Sequence, residues 1–284
     1  MFELIQAIVL GAVQGLTEFI PVSSSGHLVI VPWLLGWNHQ SLLFDTVLHW
    51  GTLISILAAL GRDLWAIFVA TLQSLVRRSL ADPNARLGWY IVVGSIPAAL
   101  AGLLFNDFFE SLFASPRIVG FTLLFTALIL AGSEQMIRRR GQTVDGTDDA
   151  SGDLTGMNWR QAILIGLSQA VALVPGISRS GSTMATGLAT GLRRAEAARY
   201  SFLLGSPIFF GAALLQLVDT LEVDPSQVTS QLPELVAGAV VAAVVGYLAI
   251  RGLLAYLRRR SLYLFAGYCL VVGLAVIVLS FSGW

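Results

Sequence analysis

Apolar residues run along this chain almost from end to end, and the way they are interrupted predicts its elements. Residues 2–20 are apolar with helical character, then meet Pro21-Val22-Ser23-Ser24-Ser25-Gly26, and a second apolar stretch runs from 27 to 37. A bilayer span needs about 20 apolar residues, so neither half comfortably crosses alone. A helix–turn–helix that enters the bilayer and returns explains both the short lengths and the polar turn. Non-helical backbone at membrane depth is tolerated only where protein or a water-filled cavity surrounds it. The same pattern recurs downstream, where the apolar stretches 159–173 and 182–192 flank a polar interruption at 174–183. Full spans are expected at 42–60, 88–105 (broken by Gly94 and Pro97), 117–137, 196–218, 233–257 and 262–282. The segment 62–78 is apolar and aromatic but bracketed by arginines. It reads either as another span or as a separate helix lying in the interface. Residues 141–158 form a polar, acidic loop.

The pattern repeats itself. A shift of 155 residues places Gln14 on Gln169, Ser25 on Ser180, Gly26 on Gly181, and Asp45–Leu48 on Tyr200–Leu203, while Pro21 and Pro175 miss this register by one residue. Further on, Ala101–Leu104 loosely echoes Val245–Leu248. Each half is then a re-entrant pair followed by three spans. Arginines set the orientation by the positive-inside rule. Arg77, Arg78 and Arg86, Arg138–Arg140, Arg193, Arg194 and Arg199, and Arg258–Arg260 face the cytoplasm, and the acidic loops 106–116 and 219–234 face out. This works when 62–78 lies in the cytoplasmic interface, the preferred reading. The expected fold is an all-α polytopic membrane protein of six transmembrane helices plus two re-entrant pairs in an inverted-topology repeat. It forms one domain over 1–284, with repeat 1 at about 1–137, a cytoplasmic loop at about 138–158 and repeat 2 at about 159–284. Broken elements meeting near the midplane are a transporter-like arrangement.

Composition agrees. Of 284 residues, 56% are hydrophobic and only 12% charged, against about 25% charged in a soluble domain. Zero net charge gives no bulk case for nucleic acid. All 17 basic residues are arginine, which removes Schiff-base chemistry and a P-loop lysine. The single Cys269 excludes a disulfide framework and a cysteine-based zinc site. The N-terminal run lacks a basic leader and carries the first motif, so no cleavable signal peptide is expected.

The two interruptions carry the candidate chemistry, because polar and ionisable groups at membrane depth are costly unless they serve a purpose. Ser25-Gly26 and Ser180-Gly181 each open a helix, and a helix N-terminus with free N–H groups attracts anions. Two such termini facing one another would cradle a diphosphate, with Arg179 adding a planar charged fork. Small residues here would equally serve close helix packing, but that leaves an arginine in an apolar context unexplained. Glu18 follows Gln14 by four residues, on one helix face. It offers a ligand for Mg²⁺ or Ca²⁺ together with substrate oxygens, a hold on a water or histidine, or a counter-ion for Arg179. His27 could be a general acid or base or a nucleophile, or structural. Ser23, Ser24 and Ser25 offer a nucleophile or phosphate donors. Glu18, His27, Arg179 and one of these hydroxyls are the catalytic candidates, the residues leaving open which hydroxyl, and the expected binding set is Gln14, Ser23, Ser25, Gly26, Ser178, Ser180, Gly181 and Ser182. Asp45 and His49, one turn apart, stay ambiguous, and His39 sits in a polar turn that needs no special role.

The run from Gln14 to His27 resembles the (E/Q)xxxE plus SS(T/S)GH signature of the bacitracin-resistance family, the undecaprenyl-diphosphate phosphatases, and Pro175–Gly181 resembles its PGxSRSG motif. Motif order and hydropathy match over nearly the whole chain. The resemblance implies hydrolysis of undecaprenyl diphosphate to undecaprenyl phosphate and phosphate, which recycles the lipid carrier of bacterial cell-wall (peptidoglycan) synthesis and confers bacitracin resistance. It implies a divalent cation, a multi-pass protein of the bacterial inner membrane, and an active site open toward the periplasm. The partners it implies are the polyprenyl diphosphate lipid and the bilayer, with a homodimer left open. Carried over by position, Glu18 matches the family's second acid, Ser24 and His27 the serine and histidine proposed for catalysis, and Arg179 the phosphate-binding arginine. Gln14 stands where many members have Glu, which weakens a two-carboxylate metal site. The family's IQLGT stretch reads Leu48-His49-Trp50-Gly51-Thr52, so His49 is a departure. The type-2 phosphatidic acid phosphatases also use a Ser-Gly-His turn, but they need a Lys-led motif that this chain lacks. The serious alternative is a transporter or flippase of a phosphorylated lipid or solute.

Overall fold

A computed structural model describes residues 2–37, 41–105, 108–109, 115–140, 154–223 and 226–282, which leaves His39 and most of the acidic 141–158 loop outside the described residues. The described residues form helices joined by turns. These are α1 (Phe2–Phe19), α2 (Ser24–Leu35), α3 (Leu42–Arg77), α4 (Pro83–Leu104), α5 (Pro116–Arg139), α6 (Trp159–Val171), α7 (Arg179–Ala189), α8 (Arg194–Val223), α9 (Ser226–Ser230), α10 (Leu232–Leu257) and α11 (Tyr263–Phe281). Local chemistry sets their starts. Ser41 Oγ accepts from Phe44 N at the head of α3, Asp82 accepts from Asn84 N just before Pro83 of α4, and Asn158 and Gln161 form a reciprocal capping box at α6.

Six of these helices are long and apolar enough to cross a membrane: α3, α4, α5, α8 (over Arg194–Leu215), α10 and α11. The count expected from the sequence holds. One boundary changes: 62–78 is no separate interfacial helix, because α3 runs unbroken for 36 residues from Leu42 to Arg77. At 1.5 Å per residue it is about 54 Å long, well beyond a hydrocarbon core of about 30 Å. Gly61 lies inside the helix, and the charge at Asp63 is met by Arg199 of α8 at 2.8 Å. The pairs α1–α2 and α6–α7 are helix hairpins, and α2, α6 and α7 have only 12, 13 and 11 residues.

The two repeats interlock. Hairpin helix α1 packs on α10 of the second half, and its counterpart α6 packs on α4 of the first half, while α5 and α11 pack on each other. Glycines permit each crossing. A Cβ on Gly11 would strike the backbone of Gly238, one on Gly166 the backbone of Gly94, and one on Gly120 the side chain of Ile277 and the backbone of Gly273. Gly11 and Gly166 differ by the same 155 residues as the two turns, and Gly94 and Gly238 by the same offset as Ala101 and Val245. The weak echo in sequence is thus a repeated packing device that brings backbones together in an apolar surround. Gly166→Val is expected to lower the midpoint of thermal unfolding in detergent, by overpacking worth about 1–3 kcal/mol or more, because the obstacle is backbone and no rotamer relieves it. Gly102→Ala, where a Cβ meets nothing within 4 Å, should leave the midpoint unchanged or slightly raised. Equal midpoints for the two variants would refute the close crossing.

The main core lies between the repeats, with Phe19 edge-on to Phe202 at 5.4 Å and Leu130, Ile165, Met184 and Leu188 buried around them. At one end, Arg140 donates to Ala189 O at the C-terminus of α7, Arg194 pairs with Glu134, and Arg138 lies over the Tyr263 ring. At the opposite end of the α5–α11 pair, Arg117 donates to Ser280 O. Arg138, Arg140 and Arg194, all read as cytoplasmic, therefore gather at one end, where a helix C-terminus receives Arg140 and a buried acid Arg194.

Candidate active site

Both polar turns are built the same way. In the first, Ser23 Oγ accepts from Gly26 N at 3.2 Å and lies 3.3 Å from Ser25 Oγ. In the second, Ser178 Oγ accepts from Gly181 N at 3.0 Å and lies 3.3 Å from Ser180 Oγ. Each serine caps the helix that follows it. This corrects one expectation: the Gly26 and Gly181 amides are satisfied by their own caps, so the surface a phosphate would meet is made of serine hydroxyls more than of those N–H groups. The turns touch directly, with Gly176 N donating to Ser25 Oγ at 3.4 Å. Gly176 needs its positive φ of 84°, and a Cβ there would collide with Thr122 of α5. Thr122 Oγ1 donates to Pro175 O, and Thr126 donates to Gly176 O while accepting from Ser178 N, so α5 holds the second turn in place.

Glu18, 4% exposed, lies where the two turns converge. Its Oε1 accepts from Arg179 Nη2 at 3.0 Å, and its Oε2 accepts from Ser24 Oγ at 2.6 Å and from Gln14 Nε2 at 3.0 Å. His49 Nε2 stands 3.8 Å from the same oxygen, with its Nδ1 donating to Asp45 O at 2.8 Å. Arg179 is itself fixed: Nη1 donates to Ser201 O at 2.8 Å, the guanidinium lies 4.5 Å above the Phe209 ring, and Gly205 leaves room for it where a Cβ would clash. Ser24 and Arg179 are repeat mates at the shift of 155. From equivalent places they grip the two oxygens of one carboxylate.

A cavity of about 150 Å³ opens over this cluster. Of the expected residues, Glu18, Ser23, Ser24, Ser25, Ser178, Arg179 and Ser180 line it, and Gln14 reaches it through Glu18. Gly26, Gly181, Ser182 and His27 are not among its lining residues. The His27 ring faces away. Its Nδ1 is 2.7 Å from Ser23 O and so donates, which leaves Nε2 to accept from the Tyr268 hydroxyl at 2.8 Å. In this position His27 clamps the carbonyl of Ser23, a non-glycine residue held at φ 72°. Two residues that sequence reasoning left without a role do line the cavity. One is His49; the other is Gln169, whose only signal was its register with Gln14. Ala98, Leu173, Ile208 and Phe209 make an apolar wall.

The geometry suits phosphoryl chemistry. A hydroxyl within 2.6 Å of a carboxylate is a nucleophile beside its base, and an arginine beside them supplies fixed positive charge where phosphate oxygens would sit. Among the described residues no three His, Cys, Asp or Glu side chains cluster as a metal cage. Glu18 is the one carboxylate among the cavity's lining residues, and Gln14 turns its Nε2 toward it and lies outside that lining, so a divalent cation here would rest on Glu18 and on substrate oxygens.

Comparison with known proteins places the chain among relatives. Residues 7–275 match the family described as Bacitracin resistance protein BacA. The chain is 44% identical over 271 residues to an undecaprenyl-diphosphatase of Rubrobacter xylanophilus, covering 94% of this chain and 95% of the relative. It is 40% identical over 292 residues to one of Methanosphaera stadtmanae (99% of each) and 42% identical over 276 residues to one of Moorella thermoacetica (96% of each). With the match running through both turns and nearly all of the helices, the chain belongs to the bacitracin-resistance protein BacA family.

Proposed function

We propose that this chain hydrolyses undecaprenyl diphosphate to undecaprenyl phosphate and inorganic phosphate, recycling the lipid carrier of cell-wall synthesis and conferring bacitracin resistance. The observation that carries the reading is the contact chain Ser24–Glu18–Arg179, which joins the two repeats on the wall of a cavity that is polar on one side and apolar on the other. Arg179 and the hydroxyls of Ser23, Ser25, Ser178 and Ser180 bind the diphosphate. The apolar wall of Ala98, Leu173, Ile208 and Phe209 receives the first isoprene units, and the rest of the chain lies in lipid. Both hairpins are re-entrant, and the cavity faces the periplasmic side, opposite the arginine-rich end of a multi-pass inner-membrane protein.

In the first step Ser24 Oγ attacks the terminal phosphorus as its proton passes to Glu18, the bridging P–O bond breaks and undecaprenyl phosphate leaves. Water then cleaves the phosphoserine, releasing phosphate and restoring Ser24. Arg179 holds the carboxylate in line and neutralises charge on the phosphoryl oxygens. A divalent cation, Mg²⁺ or Ca²⁺, would be held by Glu18 together with the substrate, and would add charge stabilisation for the leaving group. His27 serves through Ser23, whose carbonyl it holds. Every residue of the site comes from one chain.

Purified protein in detergent, where no gradient exists, is expected to release phosphate from undecaprenyl diphosphate, to stop on addition of EDTA and to resume with excess Mg²⁺ or Ca²⁺. Phosphate release is the decisive measurement, since a transporter or flippase would release none. Unimpaired release in EDTA would remove the cation from the scheme and leave the hydrolase reading standing.

A further inference from the structure

Gln169 lies in the last turn of α6 beside the cavity, with a side chain that the fold does not use. It is 1% exposed, it lines the cavity, and neither its Nε2 nor its Oε1 has a hydrogen-bond partner among the described residues. Its repeat mate Gln14 differs, spending its Nε2 on Glu18 at 3.0 Å. The shift that places Gln14 on Gln169 places Glu18 on Leu173, so the second repeat offers its glutamine no carboxylate. A buried carboxamide unpaired at both ends destabilises a fold, and an apolar side chain such as leucine would avoid that cost. Arg179 Nε, also on the second repeat's side of the cavity, is buried and unpartnered too. Gln169 and Arg179 thus bring their unpaired groups to the same space, where an oxyanion could satisfy the donors.

We propose that Gln169 is a substrate-contacting residue of the diphosphate site: its Nε2 donates to a nonbridging oxygen of the transferred phosphoryl group, and its Oε1 accepts from the water that cleaves the phosphoserine. This rests on the hydrolase reading above. A carboxamide moves no proton at neutral pH. Its part is to fix that water and phosphoryl group relative to each other, in the way a glutamine orients the attacking water in other phosphoryl-transfer sites. The first repeat supplies the base, and the second supplies the donor–acceptor pair.

The test pairs stability with turnover and uses methylene diphosphonate as a non-hydrolysable probe. Wild-type protein in detergent should unfold at a higher temperature with the probe. Gln169→Leu should unfold at the wild-type temperature or above it, lose the probe's stabilisation, and fall about 10²-fold in kcat/KM, the usual effect of removing one preorganised donor. Gln169→Glu, similar in size but without the donor and with added negative charge, should fall at least as far. A Leu variant that keeps wild-type kcat/KM and the probe's effect overturns the inference. So does a Leu variant that is destabilised or unfolded, since the amide would then be structural. If wild-type protein releases no phosphate, the hydrolase reading fails, while the probe's effect on wild type and Leu variant still decides whether Gln169 faces a diphosphate.

Discussion

Arg179→Ala is expected to reduce phosphate release from undecaprenyl diphosphate by about 10⁴-fold, within the 10³–10⁵ that an arginine contributes in phosphoryl transfer. Three contacts make this side chain hard to replace. One nitrogen is fixed on Ser201 O at 2.8 Å, another holds Glu18 at 3.0 Å, and the plane rests on Phe209. Arg179→Lys should recover less than a tenth of the lost activity, because an ammonium is a point charge that cannot bridge both acceptors and stack. Alanine also strands Glu18, which is 4% exposed, and breaking a buried pair from one side costs about 3–5 kcal/mol. Loss of activity and loss of fold must therefore be separated. The double variant Glu18→Gln with Arg179→Ala removes the stranded charge, so its thermal midpoint should return toward wild type while turnover stays absent. If Arg179→Ala keeps turnover within tenfold of wild type, Arg179 is no part of the phosphate site. If the double variant is no more stable than the single, the pair is not buried as described.

Much of this arrangement is legible in the chain because it is local. The short apolar stretches around each turn, the serine caps three residues ahead of their glycines, and the repeat offset are all sequence-near relations. The polar residues at depth carried their own signal, and the resemblance to a known family gave them roles. What escaped depends on distant contacts. Gly61-Arg62-Asp63 reads as the end of a span, yet a single glycine costs a helix only about 1 kcal/mol, and Asp63 is satisfied by Arg199, far along the chain. His27 sits in the signature itself, and no local rule reveals that its second nitrogen is taken by Tyr268 of α11. His49 and Asp45 look like a side-chain pair at one-turn spacing, but the imidazole uses Asp45's backbone oxygen and turns its other nitrogen toward Glu18. Gln169, which lines the cavity, was visible only as an echo of Gln14.

Glu134→Ala should cause the largest loss of stability of any single change outside the cavity, about 3–5 kcal/mol. The sequence places Glu134 near the end of an apolar span, followed by three arginines that suggest a solvated end. The structure buries it completely and gives it three donors from two other helical elements: Arg194 Nε at 2.9 Å and Nη2 at 2.5 Å, and the backbone N of Leu262 at 2.8 Å. Leu262 is the residue that opens α11, and Arg194 is the first of α8. One carboxylate of the first repeat thus ties together the starts of two second-repeat spans, at the end where the arginines collect. Truncation leaves Arg194, 10% exposed, without its partner and Leu262 N without an acceptor. Glu134→Gln keeps an acceptor and should lose less. The pair Glu134→Leu with Arg194→Met should recover much of the loss, because a buried ion pair often has an apolar substitute of equal stability although neither half can be removed alone. Thermal midpoints in detergent check all three, and a Glu134→Ala midpoint within a degree of wild type would refute the tie. Turnover per folded molecule should be unchanged in Glu134→Gln, because this carboxylate holds the frame of the repeats and lines no part of the cavity.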